Sequence, residues 1–190
     1  AEAIARKLGN ALVAPLIVTA PGNTEKPGLP GSIVLSGETY RGVLTDMANS
    51  LKADGFTNIL FMGDHGPDQK PQIEVSQALN EKWKGSGALF AHIAEYYNYA
   101  DVQKYETDVL GIHEKAQGYH DDYYSSTIVM TQSLDNARIP ERTKAHLTSI
   151  NGVELVPTAK AVADGKKIVD FRADATVKAI QKLLTDRPRS

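Results

Sequence analysis

The chain has 190 residues, 42% of them hydrophobic and 23% charged, and this composition predicts one compact domain over residues 1–190 instead of a disordered or fibrous chain. A net charge of −2 excludes a strong attraction to nucleic acid or to an anionic membrane, and no apolar run approaches the roughly 20 residues that span a bilayer. Cysteine is absent, which excludes disulfides, thiolate metal sites and a cysteine nucleophile. We therefore expect a soluble protein, and the composition is compatible with the cytoplasm and with export to the periplasm.

Hydrophobic periodicity and turn-forming residues divide the first half of the chain into strands and helices. In chain order, the predicted elements are a helix at 1–8, a buried strand at 11–18, a loop at 21–31, a short strand at 32–35, a helix from 36 to about Gly55, a buried strand at 57–62 and a helix at 71–83. A buried strand that feeds a polar loop and then a helix is the βα unit of a parallel sheet.

The second half of the chain has weaker periodicity. Its predicted elements are a strand at 88–94, a loop-like stretch at 109–124, a short helix or turn at 125–134, a short strand or extended piece at 152–157 and a helical stretch at 158–184. Gly165 interrupts the last of these, which predicts two helices or one kinked helix. Taken together, the elements predict an α/β fold.

The strongest candidate for a functional site is Gly63-Asp64-His65-Gly66-Pro67-Asp68, which directly follows the strand predicted at 57–62. The loops after the strands of a parallel sheet hold its ligand sites, and a rigid strand end can aim a histidine and two acids. Imidazole nitrogen and carboxylate oxygen are ligands of catalytic zinc and manganese, so His65 and Asp68 are candidate metal ligands. The alternative interpretation is a turn in which Asp64 and Asp68 cap the next helix and His65 is merely exposed.

A second polar cluster runs from His113-Glu114 to His120-Asp121-Asp122-Tyr123-Tyr124. Acids directly after a histidine supply a metal ligand, a hydrogen bond to an imidazole or a general base, and the alternative is a solvent-facing charged loop with packed tyrosines. A serine hydrolase built on Ser125 or Ser126 is a weaker interpretation, because no GxSxG turn presents the serine. The sequence has neither GxGxxG nor a P-loop, so it indicates no nucleotide cofactor.

Two further histidines have simpler interpretations. His92 lies inside a predicted strand between Ala91 and Ile93, which favours a core or interface position over a role as a ligand. His146 lies in the Lys- and Arg-containing stretch 141–147, which is typical of a solvated helix face.

Several short motifs occur in the order found in the creatininase family of amidohydrolases. They are Ala14-Pro15, Leu29-Pro30-Gly31-Ser32-Ile33, Asp54-Gly55-Phe56 and Gly63-Asp64-His65-Gly66-Pro67-Asp68, which resemble the family's Ala-Pro strand, Pro-Gly-Thr-Ile segment, Gly-Phe and Asn-Gly-His-Gly-Gly-Asn. Further on, His120-Asp121-Asp122-Tyr123 resembles the His-Asp-Asp-Tyr variant of the family's later His-Ala-Gly…Glu-Thr-Ser motif, and residues 149–153 and 167–172 read like the tail of that variant group. The shared order is more specific than any one motif.

The resemblance implies a three-layer αβα fold with a mostly parallel sheet, a homo-oligomer, and hydrolysis of C–N bonds in small cyclic or linear amides at a site for one or two zinc or manganese ions. His65 matches the family's metal-binding histidine, Asp68 stands where the family has Asn, and His120 matches the histidine of the later motif. Ser125 stands where the acidic ligand is expected, so Asp121 or Asp122 would take its place.

The resemblance implies metal binding by His65, Asp68 and Asp121. It implies catalysis by Asp122 and His120, in which Asp122 moves the proton. The predicted substrate contacts are made by Tyr97, Tyr123 and Tyr124. For the tyrosines, packing is the alternative role.

The front of the chain departs from the family pattern. The family's first strand ends in Glu-x-His-Gly-Pro-His followed by Thr-Asp, and Ala1 aligns just after these ligands. The chain begins with Ala-Glu-Ala and no initiator Met, so we expect that upstream residues have been removed. A catalytic zinc normally has three protein ligands. Two hypotheses follow: an amidohydrolase whose ligands are completed by an upstream segment or another chain, and an inactive relative that serves as a binding or assembly module.

Overall fold

The computed structural model describes residues 1–26, 28, 30–115 and 122–187. Contacts group the chain into two compact units, which we call the hairpin unit (1–10 and 98–175) and the parallel-sheet unit (11–97 and the residues from 176 on). Helices and short strands occur together in the described residues, in agreement with the predicted α/β class. The single-domain organisation stays a prediction.

Helices make up most of the regular structure, and the strands between them are short. In chain order, the elements are α1 (Glu2–Leu8), α2 (Gly37–Ala53), β1 (Asn58–Phe61), α3 (Gly66–Lys82), β2 (Leu89–His92), α4 (Tyr99–Tyr105), a π-helical turn (Glu106–Leu110), α5 (Tyr123–Gln132), α6 (Ile139–Lys144), β3 (Ser149–Ile150), β4 (Val153–Glu154) and α7 (Thr158–Thr185), with short 3-10 turns at Ala94–Tyr96 and Leu134–Ala137. Within the described residues, none of these helices is long and apolar enough to cross a membrane.

The parallel-sheet unit is built on strands β1 and β2. The two strands pair in parallel, with Asn58 opposite Leu89 and Phe61 opposite His92. Helices α2 and α3 supply the rest of the core; the buried residues are Tyr40, Leu44, Ala48, Ile59, Phe61, Val75, Leu79 and Phe90. Since parallel strands end at the same edge of a sheet, the residues after Phe61 and His92 lie at one carboxyl edge.

Helix α3 begins earlier than the predicted start at 71. It starts at Gly66, with Pro67 in its first turn and Pro71 inside the helix. A proline is tolerated in the first turn because its missing N–H group would have no partner within the helix there. The early start shortens the connection from β1 and places Asp68 and Gln72 on the first two turns of α3.

The buried strand predicted at 11–18 is wrong. This segment forms neither helix nor strand, and Leu12, Leu16 and Val18 are 79%, 74% and 89% exposed. A run of β-branched and apolar residues becomes a buried strand only where a neighbouring strand receives its backbone hydrogen bonds. The strand predicted at 32–35 is likewise reduced to one parallel bridge between Pro21 and Leu35.

The hairpin unit packs α5, α6 and the first part of α7 around its own core. The buried residues are Ile112, Tyr123, Met130, Ile139, Leu155 and Ala161. Strands β3 and β4 pair antiparallel through Asn151 and Gly152, whose φ angles of 49° and 85° suit the turn of a two-residue hairpin. Lys7 joins α1 to α7, because its ammonium group lies 3.0 Å from Asp170 Oδ1 and 2.7 Å from Asp174 Oδ1.

Helix α7 is one helix of 28 residues, so the two-helix interpretation of Gly165 is wrong. The glycine is used for packing instead. A Cβ on Gly165 would overlap the backbone carbonyl oxygen of Thr127 and lie 2.9 Å from Thr131 Cγ2. Both threonines belong to α5, so the lack of a side chain at 165 lets the backbones of α5 and α7 approach closely.

We predict that Gly165→Ala destabilises the protein by about 1 to 3 kcal/mol, the usual cost of overpacking, because the backbone of Thr127 has no flexible end to move aside. Gly42→Ala is the matched control, since Gly42 is exposed within α2 and has nothing within 4 Å of its Cβ position. The control is expected to stabilise by about 0.5 to 1 kcal/mol through helix propensity. Urea unfolding midpoints measure both changes, and equal midpoints for the two variants would contradict the close packing at Gly165.

Candidate functional site

A close approach of α3 to the end of β1 defines the candidate site in the parallel-sheet unit. A Cβ on Gly63, two residues after β1, would lie 2.6 Å from Gln72 Nε2, 2.7 Å from Asp68 Cβ and 2.9 Å from Asp68 Oδ2. Any side chain at this position would therefore displace two polar residues of α3. Glycine at 63 lets those residues sit against the carboxyl edge of the sheet.

His65 and Asp68 face each other at this edge. Nδ1 of His65 lies 3.9 Å from Oδ1 of Asp68, and both atoms are buried without a hydrogen-bond partner. Burial raises the pKa of the Asp68 carboxyl above its usual value, with the His65 ring opposing this and Asp64 adding to it. Buried polar atoms in native proteins are nearly always satisfied, so two facing atoms without a protein partner make this edge a candidate binding site.

The sequence-based alternative for this motif is a turn in which Asp64 and Asp68 cap the next helix and His65 is merely exposed. The residue at the N-cap position of α3 is His65, not Asp64, and its side chain makes no capping hydrogen bond. The His65 side chain is 43% exposed, while its Nδ1 atom is buried. The imidazole therefore turns one nitrogen inward, toward Asp68.

Gln72 joins the site to the second strand of the sheet. Its Nε2 atom donates to the Tyr40 hydroxyl at 3.2 Å, and its Oε1 atom lies 3.0 Å from Nδ1 of His92, the last residue of β2. Burial lowers the pKa of the His92 imidazole, with Glu95 opposing this, so the ring is neutral at pH 7. Sequence reasoning missed Gln72 and Tyr40; the available signal was the spacing of Asp68 and Gln72, which places both on one face of a helix.

Tyr97, a predicted substrate residue, lies next to this site. Its hydroxyl is 3.6 Å from the Cβ position of Gly66, the residue that follows His65, and its side chain is partly exposed. The position is compatible with a contact to a molecule bound at the carboxyl edge. The substrate role of Tyr97 stays a prediction.

The hairpin unit holds Asp122, and it uses this residue as a helix cap. Asp122 is buried before α5; its Oδ1 accepts from the Ser125 backbone N–H at 3.1 Å and its Oδ2 from the Tyr99 hydroxyl at 2.5 Å. Burial raises the pKa of Tyr99, and the hydrogen bond to Asp122 adds to the effect. His120 and Asp121 lie outside the described residues, so the roles predicted for them and for Asp122 stay predictions.

The two predicted substrate tyrosines of the hairpin unit are packed. Tyr123 is fully buried, and its hydroxyl donates to Asp164 Oδ2 at 3.1 Å. Tyr124 meets the Tyr99 ring edge to face, with ring centroids 5.4 Å apart. These contacts are those of the packing alternative, and a substrate contact by either ring stays a prediction.

The family model for creatininase, described as creatinine amidohydrolase, matches residues 1–180. The chain belongs to the creatininase family. This confirms the resemblance inferred from the ordered motifs, and with it the α/β class of the fold. Searches of curated proteins and of solved structures gave no match.

Creatininase-family members typically bind a divalent metal, and His65 with Asp68 fits such an ion in part. An imidazole nitrogen and a carboxylate oxygen are donors that zinc and manganese accept, and both are buried in this site without another partner. Among the residues that the structure describes, no group of three or more His, Asp or Glu side chains is arranged to hold a metal ion. Of the predicted metal ligands, His65 and Asp68 lie among the described residues, and their role as ligands stays a prediction.

A second group of carboxylates in this creatininase-family chain lies within the hairpin unit. Glu106, in the π-helical turn after α4, is 2% exposed, and its Oε1 atom has no hydrogen-bond partner. Burial raises the pKa of Glu106 to about 8, and the negative charges of Glu114, Asp122 and Asp164 add to the shift. Lys160 neutralises part of this charge, since its Nζ lies 2.6 Å from Asp164 Oδ2. Glu106 is therefore protonated in the folded protein at neutral pH.

This arrangement predicts a pH-dependent stability. Unfolded Glu106 ionises near its ordinary pKa of 4.5, whereas the folded protein keeps the proton until about pH 8. The unfolded state thus binds fewer protons in this window, so the free energy of unfolding falls as the pH rises through it. Glu106→Gln, which is neutral at every pH, removes that slope and makes the variant more stable than the natural chain above about pH 8.

Asp108→Asn is the matched control, because Asp108 is exposed on the same π-helical turn. Urea midpoints measured at about pH 6 and about pH 8.5 compare the three proteins. If the urea midpoint changes equally between the two pH values in the natural chain and in Glu106→Gln, Glu106 does not hold the proton.

Proposed function

We propose that this creatininase-family chain is a metal-dependent hydrolase that cleaves the C–N bond of an amide or cyclic amide. The observation that carries the proposal is the facing pair of buried, partnerless atoms, Nδ1 of His65 and Oδ1 of Asp68. The pair lies at the carboxyl edge of the parallel strands β1 and β2, where open α/β sheets place their ligands.

His65 Nδ1 and Asp68 Oδ1 are the atoms that would hold the cation, zinc or manganese, with one or two ions in the complete site. Asp121, inferred from the sequence, is the proposed third ligand. When bound, the cation supplies Lewis-acid polarisation of the amide carbonyl.

The connection between β1 and α3 holds His65 in place. Gln69 Nε2 donates to the carbonyl oxygens of Gly63 at 3.0 Å and of His65 at 2.9 Å, which fixes the backbone on both sides of Asp64. A ligand on a fixed backbone loses little conformational freedom when it binds an ion. Gln69 therefore orients the imidazole that we propose as a ligand.

The other roles are carried over from the family resemblance. We propose proton transfer by Asp122 and His120, contacts to a small amide substrate by Tyr97, Tyr123 and Tyr124, a three-layer αβα arrangement, and a homo-oligomer. The support for the role of Asp122 is that it is a buried carboxylate near Glu106.

The test of the metal site is the zinc and manganese content of the purified protein. We expect one or two equivalents of zinc or manganese in the natural chain. His65→Ala and Asp68→Ala are each expected to weaken binding by more than about 100-fold, the upper end of the cost of removing a hydrogen-bond partner of a metal ligand. His146→Ala is the matched control, because His146 is exposed in the hairpin unit and its loss should leave the metal content unchanged.

The activity test follows amine release from a panel of linear and cyclic amides, before and after a chelator. Turnover that the chelator removes and added zinc or manganese restores supports the hydrolase. A protein with intact His65 that binds neither ion contradicts it.

A second candidate function is a non-catalytic binding or assembly module of the creatininase fold. It is favoured by Asp122, whose two oxygens serve to cap α5 and to bind Tyr99, and by Ser125, which stands where the family has an acidic ligand. In this case the protein folds without metal, and neither a chelator nor His65→Ala changes its stability.

A further inference from the structure

Gln72 is a buried amide with both ends in use. It is 2% exposed, and its Nε2 donates to the Tyr40 hydroxyl at 3.2 Å. At the other end, Oε1 lies 3.0 Å from His92 Nδ1. A buried side chain held at both ends has one orientation, so it imposes that orientation on its neighbours.

The Asp68 carboxylate determines which end of the amide faces which neighbour. A Cβ on Gly63 would lie 2.6 Å from Gln72 Nε2 and 2.9 Å from Asp68 Oδ2, so these two atoms lie close to each other. A carboxylate attracts the amide NH₂ group and repels the amide oxygen. The NH₂ end is therefore held on the Asp68 side, and the oxygen points to His92.

This orientation determines the tautomer of His92. An amide oxygen only accepts hydrogen bonds, so the His92 nitrogen that contacts it must carry the proton. The neutral ring then has its proton on Nδ1 and a free lone pair on Nε2. His92 is partly exposed and lies opposite Phe61, at the carboxyl edge from which residues 63–65 lead to α3.

We propose that Tyr40 and Gln72 are positioning residues that hold His92 as the Nδ1–H tautomer, so that His92 Nε2 accepts a hydrogen bond from an N–H group of the amide bound at this edge. The inference rests on the proposed function and narrows its substrate class. The amide that fits carries at least one hydrogen on nitrogen, as a primary, secondary or ring amide does. A tertiary amide has no N–H to offer.

The tautomer is measured by ¹⁵N NMR of the full chain. We expect a protonated Nδ1 and an unprotonated Nε2 for His92. Gln72→Met removes the acceptor at similar volume, so the proton should move at least in part to Nε2. Gln72→Glu keeps an acceptor oxygen and should restore the Nδ1–H form. Gln77→Met is the matched control, because Gln77 is exposed on the same helix.

A second variant tests the proposal if Gln72→Met does not fold. Tyr40→Phe conserves the volume but removes the hydroxyl to which Gln72 Nε2 donates, so only the Asp68 carboxylate still favours the original orientation and a fraction of the amides can turn. It should produce a mixture of the two tautomers. A natural chain with the proton on Nε2 overturns the proposal, as does an unchanged tautomer in both variants.

The ligand is tested with acetamide and with N,N-dimethylacetamide, which has the same carbonyl group but no N–H. We expect acetamide to shift the ¹⁵N resonance of His92 Nε2. Dimethylacetamide should leave that resonance unchanged, and neither amide should shift the ring resonances of the exposed His146. Equal responses to both amides, or none to acetamide, overturn the N–H contact. These readouts need neither turnover nor a bound ion, so they fail independently of the metal test on His65.

Discussion

The polar site of the parallel-sheet unit depends on the lack of a side chain at Gly63. Because glycine has no Cβ there, the first two turns of α3 bring Asp68 and Gln72 against the end of β1. The Asp68–His65 pair and the hydrogen bonds of Gln72 to Tyr40 and His92 all require this approach. One backbone position therefore controls both the atoms that we propose as ligands and the histidine on the neighbouring strand.

The two units treat their buried carboxylates differently. In the parallel-sheet unit, Asp68 lies close to the His65 imidazole and to the Gln72 amide. In the hairpin unit, Glu106 lies among Glu114, Asp122 and Asp164, and Lys160 balances part of their charge. Burying a charge without a partner is expensive, so the hairpin unit lowers the cost by keeping a proton on Glu106.

Local sequence signals predicted the parts of the fold that depend on neighbours in the chain. The helix after Ser36, the strand around Ile59 and Phe61, and the strand around Phe90 were confirmed, because helical spacing and short apolar runs reflect one buried face. The predicted start of α3 at 71 was wrong, because the proline in the first turn of the helix is Pro67 and Pro71 lies inside it. The prediction of a strand at 11–18 was wrong because a strand forms only beside a partner strand, and no local sequence pattern encodes that partner.

The candidate site shows the same division. The position of His65 and Asp68 after a buried strand was predictable, since a strand followed by a polar loop and a helix is a recurring unit. Tyr40 was not, because it lies on an apolar helix face where sequence reasoning assigns packing alone. Gln72 was not, because a helix that starts at 71 does not place it on one face with Asp68. Their contacts to each other and to His92 span 32 and 20 positions in the chain, and only the three-dimensional structure brings them together.

The segment from Ala11 to Val18 has a consequence for how this protein behaves in concentrated solution. Leu12, Leu16 and Val18 are exposed to solvent in a segment that forms neither helix nor strand. Exposed apolar chain outside regular structure is a site for self-association and for cleavage by proteases. Limited proteolysis and self-association are therefore expected to begin at these residues while both cores remain folded.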